Sequence, residues 1–387
     1  MAKKKIHLLF KEFFESEKSG GLILIACTII SLIIANSSFS EGYEHLLHLP
    51  IAGNTLTHWI NDGLMTIFFL LIGLELEREV YVGELSNIKN AILPVVAALG
   101  GMVVPAGVFL LLNYGTPAQS GAGIPMATDI AFALGILSLL GKRVPTSLKI
   151  FLTALAVIDD LGAILIIAFF YTSTLSWTYL SAAGGIFALL LVCNRLKIHH
   201  FLPYLIGGVA MWYCMLHSGV HATITGVLVA FAIPFGKDGE NTLSYRLQHF
   251  LHKPVAFFIL PVFALANTAI VISGNFFDVF KGIPQIGIMA GLFIGKPVGI
   301  LLFSVIAVAL GLCAIPSDLT KKHLLGAGIL GGIGFTMSIF ITLLAYNDIQ
   351  IIDASKLAIL TSSLLSAIVG LFFLKIVLKK QPIVSEE

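Results

Sequence analysis

Charge is scarce in this chain. Of 387 residues only 11% are Asp, Glu, Lys or Arg, and 57% are hydrophobic. Soluble domains carry about 25% charged residues. So little charge cannot cover two or three soluble domains, so an ordinary cytosolic enzyme and a disordered chain are both excluded. An excess of one sign is missing too. The formal net charge is +2, and no basic face of the kind phosphate contacts require is visible. No nucleic-acid partner is expected. Cysteine is sparse: Cys27, Cys193, Cys214 and Cys313 stand far apart, in or beside apolar runs. They form neither a metal-ligand spacing nor a disulfide framework, and read as small apolar filler. A GxxxxGK[ST] run, which would cradle nucleotide phosphates, is absent. No cofactor and no enzymatic chemistry are expected.

Long apolar runs are what the chain has instead. A bilayer core about 30 Å thick asks for about 20 mostly apolar residues per spanning helix. Twelve runs meet or approach this: 20–37, 59–81, 91–113, 118–140, 147–171, 178–195, 202–217, 220–234 (short), 254–273, 284–310, 323–346 and 355–378. They are too long, and alternate too little, for porin-type strands. Assigning the connecting loops alternately to two sides places 20 of the 23 Lys and Arg residues on the side of both termini. The other side holds Lys281 and Lys356, and Lys296 falls inside a run. Such asymmetry puts both termini in the cytoplasm and makes the number of spans even. The expected class is an all-α integral membrane protein with twelve transmembrane helices, one domain over 1–387. Residues 1–19 form a cytoplasmic N-terminal segment and 379–387 a cytoplasmic tail. Glu12, Glu15 and Glu17 make 1–19 a poor signal-peptide n-region, so the first helix is expected to remain. Residues 38–58 include one strand-like stretch, His48–Thr57, in which Gly53-Asn54 suits a two-residue hairpin turn; an irregular loop fits it equally.

Charge at membrane depth is costly, about 2.5–3.5 kcal/mol for an Asp or Lys at a helix centre even on mild scales. Asp129 sits mid-way along the fourth run, Asp159 and Asp160 mid-way along the fifth, and Lys296 mid-way along the tenth. These groups must face one another or a watery cavity. Simple structural salt bridges would not balance, because three acids meet one base. The excess negative charge invites a cation. Neighbours on a helix point about 100° apart, so one aspartate can meet a partner helix while the other lines a cavity. Carboxylate oxygens suit hard cations or protons.

Two runs look interrupted. The fourth contains Pro125 just before Thr128-Asp129, and a proline lacks the N–H that a continuous helix uses. The eleventh has five glycines between Gly326 and Gly334, which weaken a helix strongly. In both a Thr precedes a Phe by four residues, Thr128/Phe132 and Thr336/Phe340. Small-residue helix packing of the GxxxG type would explain the glycines alone. Helices three to five and ten to twelve, however, would run oppositely through the membrane. A broken middle helix in each trio points to an inverted-topology repeat, a rule for which the family named next is itself one of the examples. Half-helices leave partial positive charge at N-termini and negative charge at C-termini. Asp129 can offset the first. Lys296 can offset the second or pair with an aspartate.

Ala127-Thr-Asp129-Ile-Ala-Phe, Ala156-Val-Ile-Asp-Asp160, Gly295-Lys296-Pro-Val-Gly, Gly334-Phe-Thr-Met-Ser338, Val220-His221-Ala-Thr-Ile-Thr-Gly226 and Trp59-Ile-Asn-Asp62 together resemble the bacterial NhaA-type sodium/proton antiporters, over essentially the whole chain. The resemblance implies interrupted helices four and eleven that cross, and a cation and proton site at Asp159 and Asp160 supported by Thr128. It implies charge compensation by Asp129 and Lys296, and electrogenic, pH-regulated exchange. Na+ or Li+ would be the transported metal ion. It also implies a homodimer aided by the 38–58 hairpin on the periplasmic side, and membrane lipid as the surroundings. A pH-responsive group matches Glu75, Arg78, Glu79, His249 and His252, and His221 matches another position tied to pH response, although a packing role suits it as well. Gln248 departs from the pattern, since an acid is found there in the best-studied member and a glutamine cannot titrate.

The expected function is therefore exchange of Na+ or Li+ for protons across the bacterial cytoplasmic membrane by alternating access. A sodium-coupled solute symporter is the alternative; it needs a second, organic-substrate site, and no extra midplane polar cluster stands out. A channel would lack tightly coupled proton sites. An intramembrane aspartyl protease needs carboxylates from separate helices sharing a proton, whereas the paired acids here share one helix.

Overall fold

The computed structural model describes residues 2–172, 174–236, 242–272 and 280–378, with the side chains of 2–18, 84, 88 and 89 outside that description. The expected tail, 379–387, lies outside the described residues. What is described is helical apart from one small hairpin. Seven helices are long and apolar enough to cross a membrane: Leu56–Tyr81, Asn90–Asn113, Thr146–Phe170, Trp177–Arg195, Leu243–Asn267, Ile283–Ala309 and Ile349–Val377. Three bent pairs would bring the number to ten. Two further apolar helices, Phe201–Leu216 and Ile224–Ala232, are shorter than a bilayer requires. The basic N-terminal segment is itself helical, continuous with the first apolar run in Ala2–Ala35.

The chain divides into two compact units, one of Met1–Leu22, Asn87–Asp159 and Asn275–Glu387, the other of Ile23–Ser86 and Asp160–Gly274. In the first, the Ile88–Asn113 and Lys296–Ala309 helices meet backbone to backbone. A Cβ on Gly299 would stand 2.1 Å from the Gly100 carbonyl oxygen, and one on Gly100 2.3 Å from that of Gly299. Small residues drive such packing where lipid removes the hydrophobic driving force. The second unit repeats the device: a Cβ on Gly226 would lie 2.2 Å from the Thr66 carbonyl oxygen.

Helix starts follow local chemistry. Asp348 accepts the Gln350 N–H at 2.9 Å to open Ile349–Val377, and Thr242 accepts that of Tyr245 at 3.3 Å to open Leu243–Pro254. Such side chains satisfy the orphan donors of a first turn. The helix expected over 254–273 thus starts earlier and ends at Asn267.

Residues 50–55 form an antiparallel hairpin pairing Pro50 with Thr55 and Ile51 with Asn54. The turn is therefore Ala52-Gly53, both at positive φ (49° and 91°), and Asn54 belongs to the strand. Local preference favoured Gly53-Asn54. A bond from the Trp59 indole N–H to the Ile51 carbonyl, 2.8 Å, holds the other register.

Candidate functional site

Both expected interruptions coincide with loss of helical backbone. Residues Pro117–Met126 wind as a 3-10 helix, 127–129 are extended, and Ile130–Ser138 resumes as α-helix at 40° to the first piece. The fourth run is thus only half α-helical. Lys321–Gly331 and Phe335–Ala345 meet at 49°. The two breaks touch. The Asp129 N–H donates to the Ile333 carbonyl at 2.7 Å, and the Ser338 hydroxyl to that of Ile124 at 2.7 Å.

Asp129 serves two helix N-termini with one carboxylate. Its Oδ1 accepts the Phe132 N–H at 2.9 Å, opening Ile130–Ser138. Its Oδ2 accepts the Thr336 N–H at 3.1 Å and the Thr336 hydroxyl, in the first turn of Phe335–Ala345. A charge there offsets the partial positive ends of both half-helices. Lys296 does both of the things left open for it. Its Nζ lies 2.8 Å from Asp159 Oδ2 and also donates to the Met126 carbonyl, the last of the 3-10 piece. The ammonium therefore neutralises an acid and a helix C-terminus together. A five-residue π-helical turn, Gly291–Gly295, directly precedes it; such turns are frequent at functional sites.

Thr128 Oγ1 stands 2.7 Å from Asp159 Oδ2 and 2.9 Å from the Gly331 carbonyl, with one proton to give. Asp159 Oδ2 is thus held from two sides. Asp159 Oδ1 is buried and makes no hydrogen bond among the described residues. Thr128, Asp129, Asp159 and Lys296 are at most 2% exposed, and Asp160, next on the Thr146–Phe170 helix, is fully buried.

The residues expected to respond to pH fall into two places. Glu75 and Gln248, both buried, are joined by a side-chain hydrogen bond, with Arg78 and Glu79 in electrostatic range. Arg78 Nη2 lies 3.1 Å from Glu79 Oε1. His252 is in range of Arg78 and His249, and the Tyr245 ring stacks parallel to His249. His221 keeps other company: its Nε2 is 3.0 Å from the Tyr171 carbonyl, and Asp62 lies in electrostatic range. Asp62 in turn is 3.2 Å from His58 Nε2. Asp62 and Thr336 received no role from the sequence; Asp62 stands near the start of its apolar run and not mid-way along it as Asp129 does.

Buried acids and one base gathered where two bent helix pairs meet, in a chain whose described residues are helical apart from one hairpin and supply seven to ten candidate spans, define a multi-pass membrane transporter. A family model described as Na+/H+ antiporter 1 matches residues 11–374. The chain is 69% identical over 375 residues to the Na(+)/H(+) antiporter NhaA of Flavobacterium psychrophilum, covering 97% of this chain and 98% of that one. It is 59% identical to the Na(+)/H(+) antiporter NhaA of Cytophaga hutchinsonii, covering 97% of each. The solved structure of the sodium proton antiporter MjNhaP1 from Methanocaldococcus jannaschii shares the fold, with a TM-score of 0.56 at 15% identity over 97% of this chain and 99% of that one. The chain belongs to the NhaA-type Na+/H+ antiporters.

Proposed function

We propose that this protein exchanges Na+ or Li+ for protons by alternating access, cation and protons competing for Asp159 and Asp160. Na+/H+ exchange follows from the family. The symporter alternative has no support, since the relatives matched are antiporters by name. The observation that carries the site reading is the crowding at Asp159. Lys296 and Thr128 both hold Oδ2 while Oδ1 makes no hydrogen bond among the described residues. A carboxylate in this state binds a cation only when Lys296 yields its place, so Na+ entry and release of the ammonium are one event. Asp160 supplies the second carboxylate, on the same helix. Thr128 offers a hydroxyl oxygen to the ion. Asp129 and Lys296 keep the broken ends neutralised in either state.

The architecture that suits this is a single domain of twelve spans, the two bent pairs being interrupted helices of an inverted repeat. Both termini are cytoplasmic in a bacterial inner membrane, as the basic loops argue. The 50–55 hairpin then lies on the periplasmic face, where it aids a homodimer within the lipid. Glu75, Arg78, Glu79, His249 and His252 form a cytoplasmic pH-responsive group, with His221 a separate contributor. Everted vesicles with an imposed pH gradient test the exchange. Na+ and Li+ should collapse the gradient and K+ should not; a gradient indifferent to Na+ refutes it.

A further inference from the structure

A cavity of about 270 Å³ in the second unit is lined by Glu77, Tyr81, Val82, Asn194, Phe231 and Phe235. None of these residues belongs to the constellation around Asp159. Glu77 shares the Met65–Tyr81 helix with Glu75, but two residues are about 200° of helical turn, so the two acids face different ways. Glu77 is only 5% exposed. Its carboxylate accepts one hydrogen bond among the described residues, from the Ser244 hydroxyl at 3.2 Å, and no described Lys, Arg or His lies within ion-pairing distance. An ionised carboxylate has about four acceptor sites, and a buried one is retained when a cation or several donors satisfy it. Among the described residues, one neutral hydroxyl leaves most of that demand unmet.

The walls say which cation fits. Tyr81 stacks on Phe235, centroids 5.1 Å apart and planes 17° from parallel. Phe231 and Val82 complete an apolar lining. The Asn194 amide donates one N–H to the Ala232 carbonyl at 3.0 Å, which fixes the amide's orientation and leaves its oxygen as an acceptor. A small metal ion needs a shell of about six or more oxygens, and side chains here offer only the Glu77 carboxylate, the Asn194 amide oxygen and the Tyr81 hydroxyl. A cation with an apolar body suits both parts, its charge toward the carboxylate and its methyl or methylene groups against the ring faces. The volume lies just below the ~300–1,000 Å³ of sites for larger organic ligands, as befits a small group. Tyr81 ends a candidate spanning helix and Asn194 stands one residue from the end of another, Trp177–Arg195. Spanning-helix ends lie at headgroup depth, where tyrosine is enriched.

We infer that this cavity binds an alkylammonium group, primary or methylated, carried by a phospholipid headgroup or free in solution. The full chain is purified and studied in two arms. In the first, nanodiscs of phosphatidylethanolamine mixed with phosphatidylglycerol are followed by native mass spectrometry for retained lipid. In the second, ethanolamine or tetramethylammonium chloride is titrated against the melting temperature, with NaCl at matched ionic strength throughout. Preferential retention of phosphatidylethanolamine assigns the headgroup. A saturable rise with free amine, without lipid preference, assigns a soluble amine. In either case Glu77→Gln should weaken the effect by about tenfold or more, the range of a lost charge-assisted bond. Phe235→Ala, which keeps the carboxylate, should weaken it several-fold and serves where Glu77→Gln does not fold. The absence of both a lipid preference and a saturable amine effect in the wild type overturns the inference. So does undiminished binding by folded Glu77→Gln.

Discussion

Lys296 meets two acceptors at once, Asp159 Oδ2 and the end of the 3-10 piece at Met126. Both side chains of the ion pair are fully buried. Removing one partner of such a pair leaves an uncompensated charge, at a cost of about 3–5 kcal/mol. Lys296→Ala should therefore melt well below the wild type in detergent as well as losing exchange, and an unchanged melting temperature would show that the pair does not hold the resting fold. Asp160→Asn keeps the volume and removes the ionisable group, so it should abolish Na+-driven proton movement in vesicles while leaving the melting temperature close to wild type. Gln248→Glu is informative in the opposite sense, because it adds a titratable group against Glu75 where an amide now bonds. The pH profile of exchange should shift relative to the wild type. A superimposable profile would remove the Glu75 group from pH control.

Most spans were legible from apolar length, although of the twelve expected only seven helices and three bent pairs meet the length a bilayer asks for; Pro125 and the Gly326–Gly334 cluster fall in two of the bent pairs. What those signals meant was only partly legible. The backbone leaves helical form near 332–334, while Gly326 and Gly328 stay inside Lys321–Gly331. Gly328 is small because a Cβ there would come within 3.0 Å of Pro297 Cα. A glycine that breaks a helix and one that admits a neighbour look alike in sequence. The hairpin shows the same limit: its register depends on Trp59, a contact no turn preference records. Ala52, a non-glycine residue at positive φ, pays about 1–2 kcal/mol for that conformation. Ala52→Gly should consequently leave the fold intact and slow amide exchange in the 50–55 hairpin; faster exchange would argue against the turn geometry. Where the Ile88–Asn113 and Lys296–Ala309 helices cross, Gly299→Val should cost about 1–3 kcal/mol by overpacking. The check is a lowered melting temperature, and a tolerated valine would mean that the backbones do not meet so closely.

Across the whole molecule, the acids outnumber the base at the two bends, and in the proposed function this imbalance couples the two transported ions. Asp129 is occupied with two helix N-termini and Asp159 with Lys296, so in the proposed exchange a Na+ or a proton meets the charge of the aspartate pair as Lys296 lets go of Asp159. If one Na+ displaces one proton there, the ions are strict competitors. The half-saturating Na+ concentration then rises about tenfold for each pH unit on the acid side of the titration, and toward a hundredfold if two coupled protons leave together. Maximal turnover stays the same, because enough Na+ always recovers the sodium-loaded form. A separate sensor built on the Glu75 group would act differently. It would change how many molecules can transport, lowering turnover while the Na+ dependence stays put, since it has no contact with the ion. Purified protein in liposomes, assayed from about pH 6 to 9 over a wide Na+ range, separates the two. The geometry at Asp159 predicts a steep change in half-saturation at constant maximal rate. A flat half-saturation with falling maximal rate would dissolve the competition and move control of transport away from Asp159 and Asp160.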